Sequence, residues 1–376
     1  MTNGKLTLCI CGGGSLGTVI AGIAASKGYE VNILTGHPES WNHNITVEDK
    51  AGKKYEGRIA RISSEADEVI PQSDIVLCCL PGSVIYGQLL KIKPYLSENT
   101  AVGSIFSCTG FFVSAISALG TEVKLFGFQR VPFIARVKEY GNSATLLDYR
   151  KMLNIAFWNV SYEGQKFYVG KLSDILCTPI NVMEHALQAT LTNSNPILHP
   201  ARLYSLFKKF DIKHPFTYIP RFYEDWTDDS SEMLIVCDGE FQAMLCKLGL
   251  DSQYTPPLLE YYESSDAESL TRKITSIESL KGLKVPMIEC KGGYAPDWDN
   301  RYFTEDIPYG LLLIKYVCQL IDIKTPNIDK IITWYQTQVG KNYLNGNKIS
   351  DSSDIVEIAC LNSDTLQIMF KSVNIV

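Results

Sequence analysis

The stretch Ile10-Cys11-Gly12-Gly13-Gly14-Ser15-Leu16-Gly17 decides the fold of this chain. It fits the pattern G-x-G-x-x-G, which is weak alone because chance often produces three glycines at that spacing. Here a continuous apolar run at 5–11 precedes the glycines, and a helix pattern rich in small residues follows at 16–26. A strand, a glycine turn and a helix in this order are typical of a Rossmann βαβ unit. An ordinary flexible glycine turn is the alternative.

Each part of this motif has a separate physical task. Gly12 permits the tight turn, Gly14 lets the backbone approach a pyrophosphate, and Gly17 lets the helix pack close to the strand. The N–H groups of Ser15 and Leu16 lie at the helix start, where free donors and the helix dipole attract an anion. We therefore predict that these five residues bind a nicotinamide dinucleotide.

The end of the second predicted strand, at 30–34, bears on which dinucleotide binds. NAD sites usually have Asp or Glu there to accept a hydrogen bond from the ribose 2′-OH, but this chain continues Thr35-Gly36-His37. Without a carboxylate, a 2′-phosphate meets no repulsion, and Thr35 and His37 can donate to it, although no Arg is adjacent. The pattern favours NADP(H) and leaves NAD(H) open.

The pattern of strands and helices divides the chain into two predicted domains. Further apolar strands and a helix at 83–93 continue the alternation, and 45–62 indicates an inserted hairpin. Residues 1–174 are therefore predicted to form an α/β domain, a Rossmann doubly wound parallel sheet. Residues 175–376 are predicted to form a mostly α-helical domain, because apolar residues recur at three- and four-residue spacing. That spacing occurs at 175–192, 201–209, 231–248 and 309–321.

Charge and cysteine content exclude several classes of protein. The 376 residues include 35 Lys and Arg against 41 Asp and Glu, and a net charge of −6 disfavours nucleic-acid binding. The 11 cysteines are scattered and lie mostly in apolar runs, which indicates reduced core residues. No metal site is expected, because the pairs Cys9/Cys11 and Cys78/Cys79 lack the two-residue gap of a zinc knuckle.

No targeting or membrane segment is expected. Residues 1–5 pass into the first strand without a basic leader. The most apolar later stretches, 104–119 and 310–321, are too polar or too short to span a bilayer. A cytoplasmic location is therefore predicted.

Among the histidines, His199 is the candidate acid or base for hydride-transfer chemistry. Reduction of C=O or C=N needs a proton donor of suitable pKa, and His is the usual one. His199 lies between Pro196 and Pro200, which predict a rigid, non-helical position just after a helix. An ordinary histidine in a capped turn is the alternative. His185 is predicted to pack in the middle of a helix.

A second candidate group follows at 299–311. The Arg301 guanidinium can grip a carboxylate with two hydrogen bonds, and Asp306 can orient and polarise an imidazole. The residues alone favour the alternative of a polar helix N-terminus, with acidic side chains stabilised by the dipole.

These motifs together resemble the opine dehydrogenase family, NAD(P)-dependent enzymes that include octopine and nopaline dehydrogenases. The resemblance covers most of the chain, in the right order and separation. Its parts are the glycine loop, Asn195-x-x-x-His199-Pro200, Arg301-Tyr302-x-x-Glu305-Asp306-x-Pro308-x-Gly310-Leu311, Thr325-Pro326-Asn327-Ile328-Asp329 and Trp334.

The resemblance implies a function and roles for individual residues. It implies reductive condensation of an α-keto acid with an amino acid, in a cleft between a Rossmann and a helical domain. His199 would be the general acid/base paired with Asp306, and Arg301 would bind a substrate carboxylate. Asn195 would help to place the substrate or the nicotinamide, and Pro81 would face the nicotinamide.

The motifs leave alternatives for the substrate pocket, the reaction and the oligomeric state. The stretch 141–160 matches nothing associated with the family, and with the helical domain it is expected to shape the substrate pocket. A simple keto-acid reductase of the ketopantoate type and a non-catalytic NADP(H)-binding sensor are the alternative functions. A homodimer is a further possibility, because helical domains of this kind often present apolar faces.

Overall fold

The computed structural model describes residues 6–373, in two compact units. The first unit ends at Thr190 and the second begins at Leu191. This division lies later in the chain than the predicted boundary between 174 and 175, because Ile180–Val182 forms a strand that pairs within the first unit. Residues 1–5, on which the expected lack of a leader and the start of the first strand depend, lie outside the described residues.

The first unit is built on two β-sheets. Within residues 6–373 its strands are β1 (Thr7–Cys11), β2 (Glu30–Leu34), β3 (Asn44–Asp49), β4 (Lys54–Arg58), β5 (Arg61–Ser63), β6 (Ile75–Cys78), β7 (Ala101–Ser104), β8 (Lys124–Phe128), β9 (Phe133–Glu139), β10 (Ser143–Tyr149), β11 (Leu153–Trp158) and β12 (Ile180–Val182). The main sheet has the order β12-β11-β8-β7-β6-β1-β2-β5, and the smaller sheet has the order β4-β3-β10-β9.

Helices connect these strands. They are α1 (Ser15–Ser26), α2 (Ala66–Val69), α3 (Gly82–Ile92), α4 (Phe111–Leu119), α5 (Tyr162–Leu176) and α6 (Ala186–Thr190). Leu8 and Ile10 of the central strand β1 are fully buried, as expected for a strand covered on both faces. Parallel pairing of β1 with β2 and with β6 confirms the predicted doubly wound sheet.

The strand order places a switch point between β1 and β6. The chain leaves β1 toward β2 on one side, whereas β6 pairs with β1 on the other side. Loops that follow two such strands diverge at the carboxyl edge of the sheet and open a crevice for ligands. The glycine loop after β1 and Pro81 after β6 both lie at this edge.

Two sequence predictions for the first unit have different outcomes. The hairpin predicted at 45–62 is confirmed as β3 and β4, but its pairing with β10 into a second sheet was not foreseen. A helix over 175–192 was wrong. Cys177 ends α5 with a φ of +53°, and Pro179 cannot extend a helix, so the chain enters β12 instead.

The second unit is mostly helical, as predicted. Its helices are α7 (Asn195–Phe207), α8 (Asp228–Lys247), α9 (Leu258–Tyr261), α10 (Ala267–Thr275), α11 (Arg301–Thr304), α12 (Leu312–Leu320), α13 (Pro326–Val339), α14 (Ser353–Val356) and α15 (Ser363–Lys371). The short strands β13 (Met287–Cys290) and β14 (Gly293–Pro296) form one hairpin, and β15 (Leu344–Asn345) and β16 (Lys348–Ile349) form another.

Within residues 6–373, no helix combines the length and the apolar character needed to cross a bilayer. The 11 cysteines are all free thiols. Most are buried as expected, but Cys177 and Cys246 are exposed.

Candidate active site

Close backbone contacts shape the glycine loop between β1 and α1. Gly12 has a φ of +111°, which other residues rarely adopt, and its N–H donates to the Leu34 carbonyl at 3.0 Å. A Cβ atom on Gly17 would lie 2.1 Å from the Gly12 carbonyl oxygen. Only glycine therefore lets α1 pack this close to the loop.

Gly14 is not crowded by the protein. Its φ of −76° is open to any residue, and a Cβ atom there would have no neighbour within 4 Å among the described residues. The first N–H groups of α1, including those of Ser15 and Leu16, have no acceptor inside the helix. The Ser15 hydroxyl accepts from the Val137 N–H at 3.1 Å, so its side chain is already used. The loop thus offers open space and backbone donors, which fit a pyrophosphate.

Two aromatic residues that the sequence did not single out lie beside the loop. A Cβ atom on Gly13 would lie 2.6 Å from Tyr140 Oη and 3.1 Å from Trp41 Nε1. The Trp41 Nε1 is buried, and within residues 6–373 no acceptor bonds to it, so a donor is left beside the glycines. No local pattern signals Tyr140, because the turn between β9 and β10 brings it to the loop from far along the chain.

The residues after β2 differ in their exposure to solvent. Thr35 is buried, and its Oγ1 lies 3.1 Å from Tyr140 Oη. Gly36 and His37 are exposed, and His37 Nδ1 lies 3.5 Å from Glu39 Oε1. The structure therefore places a phenol beside Thr35 and a carboxylate beside His37, neither of which was predicted.

Pro81 follows the adjacent strand β6. The preceding Cys79 donates its N–H to the Cys11 carbonyl at 2.8 Å, and its own carbonyl oxygen would lie 2.7 Å from a Cβ atom on Gly12. Pro81 itself has a φ of −61° and is the N-cap residue just before α3. The segment after β6 thus lies directly against the glycine loop.

His199 lies within helix α7, so the predicted non-helical position was wrong. Pro196 occupies the first turn of α7, where a missing N–H costs no hydrogen bond. Pro200 lies inside the helix and removes the bond to the Pro196 carbonyl, which the helix tolerates. Asn195 is the first, exposed residue of α7, one turn before His199 on the same face.

The imidazole of His199 is held by four side chains of the second unit. Its Nδ1 lies 2.7 Å from Asp306 Oδ2, and its Nε2 lies 3.1 Å from Tyr223 Oη. Tyr302 stacks on the ring at 4.1 Å, and Phe222 meets it edge to face at 5.3 Å. An ionised Asp306 can only accept, so Nδ1 carries the proton and donates. This leaves Nε2 as the nitrogen that can exchange protons.

Asp306 begins a π-helical segment, Asp306–Leu311, between α11 and α12. The wider turn accommodates Pro308, which has no N–H for a regular helix. A Cβ atom on Gly310 would lie 2.7 Å from the Pro196 Cβ, so Gly310 lets this segment pack directly on α7. That packing brings Asp306 to His199.

Arg301 lies at the start of α11. It is exposed, and among residues 6–373 its guanidinium has no hydrogen-bond or ion-pair partner. The next residue, Tyr302, is the one that stacks on His199. The guanidinium is therefore free to bind a carboxylate from outside the protein.

Tyr223 is a further residue of the site that sequence reasoning missed. It lies between α7 and α8, where no motif marks it. Burial raises the pKa of Tyr223 well above its ordinary value, and the nearby Tyr302, Tyr262 and Asp306 add to the rise. The hydroxyl therefore stays protonated at neutral pH.

His185 has a structural role. His185 lies just before α6 rather than in mid-helix, and its Nδ1 accepts the Leu187 N–H at 3.0 Å. Burial lowers the pKa of His185 to about 4, so it is neutral at pH 7.

In the segment 325–329, Asp329 Oδ1 lies 2.7 Å from the buried Lys315 Nζ and accepts the Thr325 hydroxyl at 2.8 Å. That segment thus anchors the start of α13.

Comparison with known proteins connects both units to one family. The family model "NAD/NADP octopine/nopaline dehydrogenase, alpha-helical domain" matches residues 182–339. Octopine dehydrogenase of Mizuhopecten yessoensis is 30% identical over 371 residues, which span 90% of this chain and 91% of that protein.

Solved structures agree with this assignment. An octopine dehydrogenase with NADH and L-arginine has a TM-score of 0.87 and 26% identity, over 98% of both chains. An octopine dehydrogenase with NADH and pyruvate has a TM-score of 0.85 and 25% identity, over 96% of this chain and 98% of that one. The chain described here belongs to the opine dehydrogenase family of nicotinamide-dependent dehydrogenases.

Proposed function

We propose that this enzyme condenses an α-keto acid with the amino group of an amino acid and reduces the resulting imine. The observation that carries the proposal is the 2.7 Å contact between His199 Nδ1 and Asp306 Oδ2. A histidine oriented by a partly buried carboxylate is the arrangement that acid–base catalysis of such a condensation needs.

His199 and Asp306 act together in this proposal. Asp306 holds the imidazole in one tautomer and stabilises its charged form. His199 then donates a proton as the oxygen of the keto acid leaves as water, and it accepts a proton from the incoming ammonium group. The nicotinamide, when bound, supplies the hydride that reduces the C=N bond.

Arg301 and Asn195 bind and orient the substrates. The Arg301 guanidinium has no partner among the described residues, and it suits a carboxylate through two parallel hydrogen bonds. Asn195 lies on the face of α7 that carries His199, so its amide can hydrogen bond a substrate or the nicotinamide. Pyruvate and L-arginine, which the solved relatives bind, are the first pair to test.

For the cofactor, we propose a preference for NADP(H) over NAD(H). The support is the lack of a carboxylate at Thr35, together with the hydroxyl of Tyr140 beside it. Gly12, Gly14, Ser15, Leu16 and Gly17 would hold the pyrophosphate, and Gly36, His37 and Pro81 would line the rest of the nucleotide site. Steady-state kinetics with NADH and NADPH test this preference, and a higher kcat/KM with NADH would reverse it.

An oxidation screen tests the reaction class. NADPH and NADH oxidation is followed with a set of α-keto acids, each with and without amino acids. The proposal expects oxidation that depends strictly on the amine, and mass spectrometry should find the secondary amine product. Equal rates without amine would instead establish a simple keto-acid reductase.

His199→Ala tests the acid–base assignment. We expect turnover to fall about 10²- to 10⁴-fold, the usual contribution of general acid–base catalysis, with cofactor binding retained. His214→Ala is the matched control, because His214 is an exposed histidine of the same unit. Near-normal turnover of His199→Ala would remove His199 from its proposed role.

Arg301→Leu separates substrate binding from folding. Since the guanidinium has no partner within the described chain, the melting temperature should not change. The KM for the keto acid should rise by about one to two orders of magnitude, because a charge-assisted hydrogen bond contributes about 1.5–3 kcal/mol. An unchanged KM with a lower melting temperature would make Arg301 structural.

A further inference from the structure

We propose that the Tyr223 hydroxyl carries protons between His199 Nε2 and the substrate. The inference rests on the proposed function, since it names the route by which His199 exchanges its proton. It makes Tyr223 part of the catalytic machinery, although no motif in the sequence marks this residue.

The surroundings of the imidazole leave one exit for a proton. Nδ1 is bonded to Asp306, one ring face is covered by Tyr302, and the Phe222 ring stands perpendicular to the imidazole at 5.3 Å. Only 5% of the His199 side chain is exposed. The remaining nitrogen, Nε2, lies 3.1 Å from Tyr223 Oη, so a proton that leaves Nε2 passes to that oxygen.

The segment that carries Tyr223 is clamped in place. Arg202, one turn after His199 on α7, is fully buried. Its Nε donates to the Phe222 carbonyl at 3.2 Å, its Nη1 to the Ser230 hydroxyl at 3.1 Å and its Nη2 to the Asp225 carbonyl at 2.6 Å. Burying a guanidinium that bonds three neutral oxygens costs free energy of desolvation. We infer that the geometry it holds matters for function. Here the bonds fix the backbone on both sides of Tyr223.

The charged and titratable groups around the phenol keep it neutral. Besides His199, those that face Tyr223 are Tyr302, Tyr262 and Asp306. Burial raises the pKa of Tyr223, and these three groups add to the rise. Arg202 supplies the nearby positive charge, directed at backbone carbonyls rather than at the phenol. Tyr223 therefore does not act as a base itself. A neutral hydroxyl can accept one proton while donating another, which is what a relay requires.

The transfer conserves protons and charge. In the forward direction, the Nε2–H bond of the imidazolium breaks as its proton binds Tyr223 Oη. The original Tyr223 O–H bond breaks at the same time, and its proton goes to the departing substrate oxygen, which leaves as water. The histidine ends neutral, Tyr223 is again a neutral phenol, and the reverse path serves deprotonation of the amine.

Tyr223→Phe tests the relay, because it keeps the ring and removes only the hydroxyl. We expect kcat to fall about 10- to 100-fold, within the range of acid–base effects, with KM values and cofactor affinity unchanged. The solvent deuterium isotope effect on kcat should change as well. Tyr343→Phe is the matched control, since Tyr343 is a buried tyrosine of the same unit that stacks on Tyr335. A Tyr223→Phe enzyme with wild-type or higher kcat would overturn the relay and show that Tyr223 only covers Nε2.

A second measurement does not depend on turnover. In ¹⁵N NMR spectra, the Nε2 resonance of neutral His199 should move in Tyr223→Phe toward that of an imidazole nitrogen without a donor. Tyr343→Phe should leave it in place, and an unmoved resonance in Tyr223→Phe would contradict the hydrogen bond itself. If the wild-type enzyme showed no amine-dependent turnover, the proposed function would fail, and this resonance would still decide whether Tyr223 bonds to His199.

Discussion

At the scale of single residues, glycines of the same loop meet different demands. Gly17 is required by the protein, since a Cβ atom there would lie 2.1 Å from the Gly12 carbonyl oxygen. Gly14 is not required by any described residue, because its φ is ordinary and the space beside it is open. Its hydrogen side chain is useful only if another molecule approaches the backbone there. The motif therefore combines a folding requirement with a binding requirement.

The pair Gly14→Ala and Gly17→Ala separates these requirements. Gly14→Ala should melt at the wild-type temperature and bind the nicotinamide cofactor about tenfold or more weakly, a loss of about 1.4 kcal/mol. Gly17→Ala should lose about 1–3 kcal/mol of unfolding free energy, because the backbone must move apart. Thermal melting and cofactor titration measure both, and equal cofactor affinity of Gly14→Ala and the wild type would count against the pyrophosphate site.

At the scale of secondary-structure elements, the site depends on how α7 meets the π-helical segment 306–311. Each element contains a proline that a regular helix would reject, at Pro200 and at Pro308. Their contact is made by two small surfaces, Pro196 on α7 and Gly310 on the segment. This close approach allows an imidazole from one element to reach a carboxylate from the other.

Gly310→Ala should disturb this contact. A Cβ atom 2.7 Å from the Pro196 Cβ forces the elements apart, at a cost of about 1–3 kcal/mol in unfolding free energy. We expect kcat to fall with it, because the Asp306 carboxylate moves away from His199. Gly239→Ala is the control, since Gly239 lies in α8 with open space beside it and Ala favours helix by up to about 1 kcal/mol. A Gly310→Ala enzyme as stable and active as Gly239→Ala would refute the close-packing account.

At the scale of the whole molecule, buried titratable groups make stability depend on pH. Burial lowers the pKa of His185 from 6.5 to about 4. The unfolded chain therefore binds a proton at this residue below pH 6.5, and the folded chain does not until about pH 4. The contribution of His185 to stability is full above pH 6.5 and is lost as the pH falls through this window. Asp238 and Glu240 act in the opposite sense, since burial raises their pKa.

His185→Asn isolates this contribution. Asn can accept the Leu187 N–H as His185 does, but it does not titrate. Between pH 6.5 and 4 the wild-type protein should lose up to about 3 kcal/mol of unfolding free energy more than the variant. Urea unfolding at several pH values measures the difference, and parallel curves for the two proteins would show that His185 does not titrate in this way.

The homodimer considered from the sequence stays a prediction. Light scattering can measure the oligomeric state.

Local sequence patterns determined the parts of this protein whose physics is local. The glycine spacing after an apolar strand predicted the loop and α1, and alternating strands and helices predicted the doubly wound sheet. Both follow from backbone sterics and side-chain periodicity over a few consecutive residues. The family motifs also mark His199, Asp306 and Arg301 as candidate site residues.

Tertiary structure alone decided the rest, because it depends on residues far apart in the chain. The second sheet needs β3 to pair with β10, and Tyr140 reaches the glycine loop only through that pairing. The helical setting of His199 and its bond to Tyr223 depend on α7, on the π-helical segment and on the loop clamped by Arg202. Contacts of this kind produce no periodic pattern or fixed spacing in the sequence, because each contacting residue follows only the local pattern of its own helix, strand or turn. Their energy arises only when packing brings the partners together.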